Sequence, residues 1–407
     1  MKKATRQHTK EHNTNLVLKT IFDNERIGRA EIARITSLTR TTVSDIVAEL
    51  IAEGLVKEVG IGSSIGGKSP ILLSLVADAR FLIGLDLGRK KFSGAIVNLR
   101  GEIRYKVDHD IQGLDSEAAL AAVYAILDEL TQTSYRPVVG IGVGTPGLVN
   151  TSEGVVVNAV NLDWKNLQLA RPLQARYHLP VLVFNDSQAA AIGEYTFGEG
   201  HPPESNLIVI NLQYGVGAGI ILNGNLYHGD GGGAGEIGHV VVQEGGLPCR
   251  CGNLGCLETV ASTQAIIQRA QMLINQNANS SLTRRAEEIS LDIIAQAFQA
   301  GDPLARQIVL QAGHYLGLAI SNLIGTLNIT HIILVGEMTR FGEPWLEAIQ
   351  KSVKQTTLSL LAEETTIEIG KSEPDGIILG ASALILKNYS LLFNHQSRPV
   401  EILEGAY

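Results

Sequence analysis

The chain has three cysteines, and all of them fall within eighteen residues of sequence together with one histidine. The four residues are His239, Cys249, Cys251 and Cys256. Three thiolates and one imidazole complete the tetrahedral shell of a closed zinc site, and glycines between the cysteines let the backbone fold around an ion. A disulfide framework would leave an odd thiol. The cluster therefore predicts a structural Zn²⁺ ion, and the alternative is three unrelated buried cysteines beside a histidine in the core.

Length and composition are those of a globular protein with a large core. The chain has 407 residues, 45% hydrophobic and 18% charged, which is enough for about three domains. No apolar stretch follows the polar N-terminal residues, so we expect no signal peptide, and no later apolar run approaches the ~20 residues of a membrane span. Thiols that bind metal instead of pairing fit a reducing compartment. We therefore predict a cytoplasmic protein with no membrane partner.

The net charge of −8 is unevenly distributed along the chain. Residues 1–80 carry 12 Lys or Arg against 9 Asp or Glu, whereas residues 81–407 carry 21 against 32. A mildly basic N-terminal segment on an acidic body is typical of a DNA-binding module fused to a sensor or an enzyme.

The N-terminal segment has the pattern of a winged helix. Helices are predicted over 13–24 and 29–35, and a third helix follows Thr39, a candidate N-cap. One apolar stripe of the third helix is expected to face inward, and it consists of Val43, Ile46, Val47, Leu50 and Ile51. Strands are predicted over 55–59 and 68–75, joined by a Gly/Ser-rich tip.

Two parts of a winged helix meet DNA, the N-terminal turn of the third helix and the wing. The predicted DNA contacts are Arg40, Thr41, Thr42, Ser44 and Lys68. The alternative is a small helical dimerisation or capping domain with an exposed polar face. Three helices and a wing in this order favour DNA binding.

An internal repeat organises the rest of the chain. Residues 82–103 and 207–226 share the pattern strand, glycine-bearing turn, strand, tight turn and strand. Such a repeat predicts two similar α/β lobes that face each other across a cleft, with the ligand site in the cleft loops. Helices that would cover the two sheets are predicted near 116–133, 187–197, 261–277, 289–300, 303–327 and 343–362.

Several glycine-rich motifs resemble those of one protein family. They are Gly142-Val143-Gly144-Thr145-Pro146-Gly147, Asn185-Asp186 with the helix 189–194 behind it, Gly235-Glu236-Ile237-Gly238-His239, and the cysteine run 249–258. Together they resemble the ROK family (repressor, open reading frame, kinase) over nearly the whole chain. With its N-terminal winged helix, the chain is similar to the family's xylose, glucose and N-acetylglucosamine repressors.

The resemblance implies an α/β fold in which a winged helix-turn-helix precedes a duplicated actin/hexokinase-like, ribonuclease H-like, two-lobed sugar-kinase fold. The domains expected are a DNA-binding domain over 1–78, a first lobe over 79–200 and a second lobe over 201–407. The second lobe would hold the metal cluster. A C-terminal helix returning to the first lobe is compatible with this division.

The resemblance also assigns a sugar site. The residues that match the family's sugar contacts are Gly147, Asn185, Asp186, Glu236, His239 and Glu258. Carboxylates and an amide suit this role because each can bond to neighbouring hydroxyl groups of a sugar. One ring nitrogen of His239 would bind zinc while the other faces the sugar. Asp186 has a second interpretation, as the cap of the helix that follows strand 179–185.

The nucleotide motifs match the family less well than the sugar motifs. Kinases of the family carry Asp-x-Gly-Gly-Thr-Lys at the first hairpin, where this chain has Asp86-Leu87-Gly88-Arg89-Lys90-Lys91. The second loop is Gln213-Tyr214-Gly215 instead of Gly-Thr-Gly, and a later Gly-Gly is Gly336-Glu337. These changes remove backbone freedom and a hydroxyl beside the phosphates. We therefore do not expect ATP or Mg²⁺ as cofactors.

Two functions remain open on the sequence alone. The first is a DNA-binding repressor of carbohydrate-utilisation genes whose kinase-like domain senses a monosaccharide such as xylose or glucose. It would bind near-palindromic operator DNA as a homodimer or higher homo-oligomer. The second is an ATP-dependent hexose kinase with an added winged helix, in which Asp186 is the catalytic base and Arg89, Lys90 and Lys91 bind phosphate by charge. The altered phosphate loops favour the repressor.

Overall fold

The computed structural model describes residues 6–63, 69–198, 201–202, 204–274, 279–370, 375–387 and 392. By their contacts the residues form two compact units. The first unit runs to Phe184 and resumes at Ala381, and the second spans Asn185–Gly380. The three-domain division expected from the sequence, with boundaries near 78 and 200, stays a prediction.

A winged helix opens the first unit, as the sequence predicted. It comprises α1 (Arg6–Phe22), β1 (Ile27–Gly28), α2 (Arg29–Thr36), α3 (Arg40–Ala52), β2 (Val56–Ile61) and β3 (Ile71–Leu75). The three strands form one sheet in the order β1-β3-β2, with β3 antiparallel to both neighbours. Much of the wing tip, residues 64–68, lies outside the described residues.

Helix α3 begins and packs as its sequence predicted, with one exception. The side chain of Thr39 caps it by accepting a hydrogen bond from the Thr42 backbone N–H at 3.1 Å. The buried residues of the helix are Val43, Ile46, Val47 and Leu50. Ile51 was wrongly placed on this inward stripe, since it is 37% exposed. At about 100° per residue, the eighth position after Val43 is rotated by about 80° and falls at the rim of the stripe.

The rest of the first unit is built on a five-stranded sheet. Its elements are β4 (Phe81–Leu87), β5 (Lys91–Asn98), β6 (Ile103–Asp110), α4 (Ser116–Gln132), β7 (Val138–Thr145), β8 (Leu148–Asn150), β9 (Val155–Ala159), β10 (Trp164–Gln168), α5 (Ala170–Tyr177) and β11 (Val181–Asn185). The sheet order is β6-β5-β4-β7-β11, and β8, β9 and β10 form a separate antiparallel sheet. Trp164 is buried in this unit and donates its indole N–H to the Ser116 carbonyl at 3.1 Å.

The second unit repeats this sheet. Its elements are α6 (Asp186–Phe197), β12 (Leu207–Leu212), β13 (Val216–Leu222), β14 (Asn225–Leu226), α7 (Glu258–Ala261), α8 (Thr263–Leu273), α9 (Leu291–Gln299), α10 (Pro303–Leu327), β15 (His331–Val335), α11 (Glu343–Thr356), α12 (Ser359–Glu364), β16 (Thr366–Ile369) and α13 (Gly376–Leu386), the last of which ends in the first unit. The sheet order is β14-β13-β12-β15-β16.

The two sheets share one topology, which confirms the predicted duplication. In each, the first strand pairs antiparallel with the second and parallel with the fourth. All six residues of β12 are buried, as expected of a strand with helices on both faces of its sheet. Trp345 of α11 is the largest fully buried side chain of the second unit's core.

Helix α10 is a core helix despite a membrane-like composition. Its 25 residues have a mean hydropathy of 1.3 in the most apolar window, which by length and composition alone would suffice to cross a bilayer. Within the second unit, however, twelve of its residues are buried, and the helix packs against α8, α9 and α11. The sequence prediction missed a run of this length because Arg306 and His314 interrupt it.

A buried carboxylate holds the start of α10. Asp302 accepts hydrogen bonds from the backbone N–H groups of Leu304 and Ala305, each at 3.0 Å. It also accepts from the hydroxyl of Ser280 at 3.0 Å and from the N–H of Ser281 at 2.6 Å. Burial alone would raise the pKa of Asp302, but the hydrogen bonds from Ala305 and Ser281 outweigh it and lower the pKa.

Replacing this carboxylate is expected to destabilise the second unit in a pH-dependent way. Asp302→Ala should lower the free energy of unfolding at pH 7 by about 2 kcal/mol, because it removes a helix cap and leaves buried donors unpaired. A lowered pKa stabilises the fold above its unfolded value of 3.8, so the cost should shrink as the pH falls through the folded pKa. Urea unfolding at several pH values measures this. The exposed carboxylate of Asp292 is the control, and an equal loss in Asp292→Ala would contradict the prediction.

Candidate metal centre and the carboxylates beside it

The structure brings together the four residues of the cysteine and histidine cluster. One ligand atom from each of His239, Cys249, Cys251 and Cys256 lies within 4.8 Å of all the others. The Cys249 sulfur is 3.5 Å from Nδ1 of His239, and the sulfurs of Cys251 and Cys256 are 3.6 Å apart. Neighbouring ligands of a tetrahedral ion with bonds of about 2.3 Å are separated by about 3.8 Å. The group therefore has the size and donor set of a metal site.

The loop that carries the cysteines depends on glycine. Isolated antiparallel bridges join Val241 to Cys256 and Pro248 to Leu254, and the Cys249 N–H donates to the Asn253 carbonyl at 2.8 Å. Gly255 has φ +74°, and a Cβ there would lie 1.7 Å from the Gln243 carbonyl oxygen. Any other residue would open this turn, because the clash is with backbone that cannot move aside.

The three thiols differ in their tendency to ionise. Burial raises the pKa of Cys249 and raises that of Cys256 to about 12. A hydrogen bond from the Asn253 backbone lowers the pKa of Cys251 to about 7. Holding all three as thiolates at neutral pH requires a compensating positive charge, which a divalent cation supplies.

His239 turns its two nitrogens toward two different groups. Nδ1 faces the thiols, whereas Nε2 lies 3.8 Å from a carboxylate oxygen of Glu236. A metal bound at Nδ1 would leave the proton on Nε2, directed at this carboxylate. The second ring nitrogen therefore points out of the metal cluster, toward the predicted sugar contacts.

Three carboxylates of the second unit interact with one another, and one of them, Glu236, lies beside the histidine. Glu258 begins α7, two residues after Cys256, and accepts a hydrogen bond from the Val216 N–H at 3.3 Å. Desolvation raises the pKa of Glu236, His239 lowers it and Glu258 raises it. Burial raises the pKa of Asp186 to about 6, hydrogen bonds from Ser187 oppose this, and Glu236 raises it further. Asp186, Glu236 and Glu258 thus form one acidic group.

The N-cap of α6 is Asn185, whereas one interpretation of the sequence had assigned that role to Asp186. The Asn185 side chain accepts from the N–H groups of Ser187 and Gln188 at 2.9 and 3.2 Å and is the N-cap of α6. Asp186 is the first helical residue, and its Oδ1 accepts from the Ser187 N–H at 2.7 Å. The sequence alternative that made Asp186 the cap was therefore wrong by one residue.

Gly147, the sixth predicted sugar contact, lies in the first unit. It occupies the turn between β7 and β8 with φ +88°, and a Cβ there would lie 2.2 Å from the Asn158 carbonyl oxygen. The turn therefore requires glycine. The other five predicted sugar contacts all belong to the second unit.

One contact at the altered nucleotide loops was not predicted. Arg250, which lies between two cysteines of the cluster, donates to the hydroxyl of Tyr214 at 2.6 Å and stands over its ring at 5.3 Å. A Cβ at Gly215 beside it would lie 2.4 Å from a carboxylate oxygen of Glu258, so a larger residue there would displace that carboxylate. The metal loop is thus tied to the loop that matches the phosphate-binding turn of family kinases. Nothing in the sequence pattern signals this pairing.

The predicted DNA contacts lie where α3 begins. Arg40, Thr41 and Ser44 are exposed, and Thr42 is half-buried beside the capping Thr39. Lys68 lies outside the described residues. A row of exposed polar side chains on the first turn of a recognition helix can reach bases and phosphates.

Comparison with known proteins matches both parts of the chain. The model of the "ROK family" matches residues 82–388, and that of the "Winged helix-turn-helix DNA-binding" family matches residues 11–57. A protein of Caldicellulosiruptor bescii named "Xylose repressor" is 33% identical over 93% of this chain and 96% of its own length.

Two solved structures show the same architecture. A ROK family transcriptional regulator described as a homolog of the E. coli MLC protein has a TM-score of 0.82 at 30% identity, over 95% of this chain and 98% of that one. A ROK family glucokinase from Streptomyces griseus, solved with glucose and AMPPNP, has a TM-score of 0.67 at 29% identity, over 75% of this chain and 98% of that one. The glucokinase covers a smaller share of this chain than the regulator does.

The cluster is expected to hold one divalent metal ion per chain. His239→Ala should lose the ion and lower the thermal midpoint, since the loop then loses the charge that compensates its thiolates. Elemental analysis of the purified protein, with calorimetry of both forms, measures this. His109→Ala, which removes a partly exposed histidine of β6, is the control and should retain the metal. Wild-type protein without stoichiometric metal would refute the expectation.

Proposed function

Since the chain belongs to the ROK family and carries an N-terminal winged helix, we propose that it is a sugar-responsive transcriptional repressor. The observation that carries the proposal is the presence, in one chain, of a recognition helix with an exposed polar first turn and a cluster of carboxylates beside a histidine. The first is suited to operator DNA, and the second to a polyhydroxylated ligand. The genes it controls would serve the use of that sugar.

The sugar site we propose is the acidic group with its neighbours. Asp186, Glu236 and Glu258 present acceptors for sugar hydroxyls, and the Nε2 proton of His239 is directed at the same region. Asn185 and Gly147 are the further contacts. Recognition by several placed acceptors discriminates strongly, because an analogue that lacks a hydroxyl leaves a desolvated carboxylate unpaired.

The metal we propose is zinc, in a structural role. Three thiolates with one imidazole favour zinc over the hard cations, and four protein ligands leave no position for a substrate. The ion would fix the ring of His239 through Nδ1 and, through Cys256, the start of α7 where Glu258 lies. Its contribution to function is therefore the position of two sugar contacts.

We infer that the protein does not phosphorylate its sugar. Two observations would favour a kinase. Asp186, with a pKa raised to about 6, has the chemistry of a general base, and the chain is similar to a glucokinase. Against it, the β4–β5 turn carries the exposed side chains of Arg89 and Lys90 where kinases of the family have Gly and Thr. Tyr214, in the second loop, is already held by Arg250. ATP and Mg²⁺ are therefore not proposed as cofactors.

The relative named xylose repressor makes xylose the first effector to test, followed by glucose. The operator is proposed to be near-palindromic, because a homodimer presents two recognition helices related by twofold symmetry. A DNA-binding regulator acts where the chromosome lies, so we propose the bacterial cytoplasm as its location, with no membrane partner.

Sugar should release the protein from DNA, and a carboxylate variant should not be released. The operator is first selected from a random-sequence pool with the protein itself, and its affinity is then measured with and without each sugar. A coupling of roughly 1–3 kcal/mol corresponds to a 5–150-fold loss of operator affinity on sugar binding. Glu236→Ala should bind the operator normally yet show no loss with sugar. Glu244→Ala, an exposed glutamate of the metal loop, should respond like the wild type.

Loss of DNA binding in Glu236→Ala would contradict this role. It would mean that the side chain maintains the fold or an oligomer instead of contacting sugar. A selected pool with no consensus would overturn the proposed function itself.

No sugar-dependent ADP production is expected. The wild type and Asp186→Asn should show the same background rate with ATP, Mg²⁺ and xylose or glucose in a coupled assay. Robust turnover that disappears in Asp186→Asn would instead establish a kinase, because only the carboxylate can accept the hydroxyl proton. The S. griseus glucokinase serves as the positive control for the assay.

A further inference from the structure

Two arginines lie at the same end of the five-stranded sheet of the first unit. Arg80 immediately precedes β4, and Arg100 follows β5. Phe81 pairs with Asn98 across the antiparallel ladder, so the two side chains start from neighbouring positions. Both reach out of the sheet toward the winged helix.

Arg80 holds the end of the recognition helix. Its Nη2 lies 3.4 Å from the backbone carbonyl oxygen of Glu53, the C-cap of α3, and 3.5 Å from the Glu53 carboxylate. Its Nε donates to the carbonyl of Leu392 at 3.1 Å, and Nη1 donates to that of Ala79 at 2.8 Å. The residue is only 5% exposed. One guanidinium thus joins α3, the segment before β4 and the C-terminal region.

Arg100 holds the end of α1 in the same way. Its Nη1 donates to the carbonyl of Phe22, the last residue of α1, at 2.6 Å, and Nη2 lies 3.5 Å from the carbonyl oxygen of Asn24. The guanidinium also stands 5.3 Å from the centre of the Phe22 ring. The turn that carries it is fixed, because the Asn98 side chain accepts from the N–H groups of Arg100 and Glu102, both at 3.0 Å.

These contacts favour a fixed orientation of the winged helix on the five-stranded sheet of the first unit over a flexible connection. Burial lowers the pKa of both arginines, a cost that carbonyl oxygens at two helix C-termini offset by hydrogen bonding and by their negative partial charge. A guanidinium donates several bonds in a fixed plane, so each contact also sets an angle. The backbone adds a further link between the sheet and the segment before β4, since the Leu99 N–H donates to the Ala77 carbonyl at 3.0 Å.

The strands that carry the arginines end, on the other side, at the proposed ligand region of this unit. β4 has seven residues and spans about 20 Å from Phe81 to Leu87 at 3.4 Å per step, and it contains Asp86. It is parallel to β7, with Asp86 opposite Gly144, and β7 leads into the turn that holds Gly147. One pair of central strands therefore has the winged helix at one end and a proposed sugar contact, Gly147, at the other.

We propose that Arg80 and Arg100 form a clamp that makes the winged helix move as one body with the first unit, and so carry the sugar signal to DNA. The proposal rests on the proposed function and deepens its regulation. Both arginines are positioning residues, since they act through α1 and α3 and contact neither ligand. Without the clamp, the winged helix would keep its own fold and its DNA contacts, but it would be connected to the sheet mainly by the chain segment before β4.

The test compares the sugar response of clamp variants with that of the wild type. Arg80→Met, Arg100→Met and the double variant are titrated with the selected operator, with and without the effector sugar. Sugar affinity is measured separately by calorimetry. The control is Arg176→Met, which removes an arginine of the same unit that bonds to Asp128 and stacks on Tyr124.

The double variant should bind sugar as the wild type does. It should bind the operator up to about tenfold more weakly, because the two winged helices of a dimer are no longer preorganised. Adding sugar should lower its operator affinity by less than about twofold. A response of wild-type size in the double variant overturns the clamp. If the Met variants do not fold, Arg80→Lys and Arg100→Lys decide by the same criterion, because lysine keeps the charge and loses the planar fork.

Failure of the clamp and failure of the proposed function give different results. If the wild type itself selects no operator or ignores every sugar, the function fails and the clamp fails with it. If the wild type responds and the clamp variants respond equally, only the clamp fails.

Discussion

The irregular segment between Gly238 and Glu258 depends on bringing three thiols and an imidazole into one small volume. Beyond a 3-10 turn that ends at His239, it has only isolated bridges, and burial raises the pKa of Cys249 and Cys256. Such a segment keeps one shape only if the repulsion among thiolates is offset, which a bound cation does. The positions of His239 at one end and Glu258 at the other follow from that shape. These two proposed sugar contacts are therefore only as well ordered as the cluster beside them.

Features encoded by local sequence were predicted well. The Thr39 cap, the buried stripe of α3 and the repeated hairpins depend on residues a few positions apart, and each was found where the pattern placed it, except that Ile51 lies at the rim of the stripe. The small sheet β8–β10 and helix α5 were not predicted, because their segments are short and their pairing is decided by what they pack against. At helix α6 the capping residue was misplaced by one, since Asn185 and Asp186 have equally good side chains for the role.

Contacts between distant parts of the sequence could not have been predicted from it. Arg80 meets Leu392 across 312 positions, and Arg100 meets Phe22 across 78. The residues around an arginine in the sequence do not indicate which distant carbonyl oxygen its side chain will contact. The contact between Arg250 and Tyr214 was equally unpredictable. It shows that Tyr214, in the altered phosphate loop, is hydrogen-bonded to the loop that carries the cysteines. Kinase loops hold phosphate with bare backbone, whereas here a side chain and its partner occupy that loop. A fold shared with kinases can thus serve sensing through a few side chains that replace glycine and threonine.

Each unit contains one of the two tryptophans of the chain, and both are buried. Trp164 reports on the first unit, where its indole is hydrogen-bonded to a helix carbonyl, and Trp345 reports on the core of the second. Intrinsic fluorescence of single Trp→Phe variants can therefore follow the two units separately without an added label. Such spectra can show whether the half of the chain that carries the winged helix melts together with the half that carries the cysteine and histidine cluster, or independently of it.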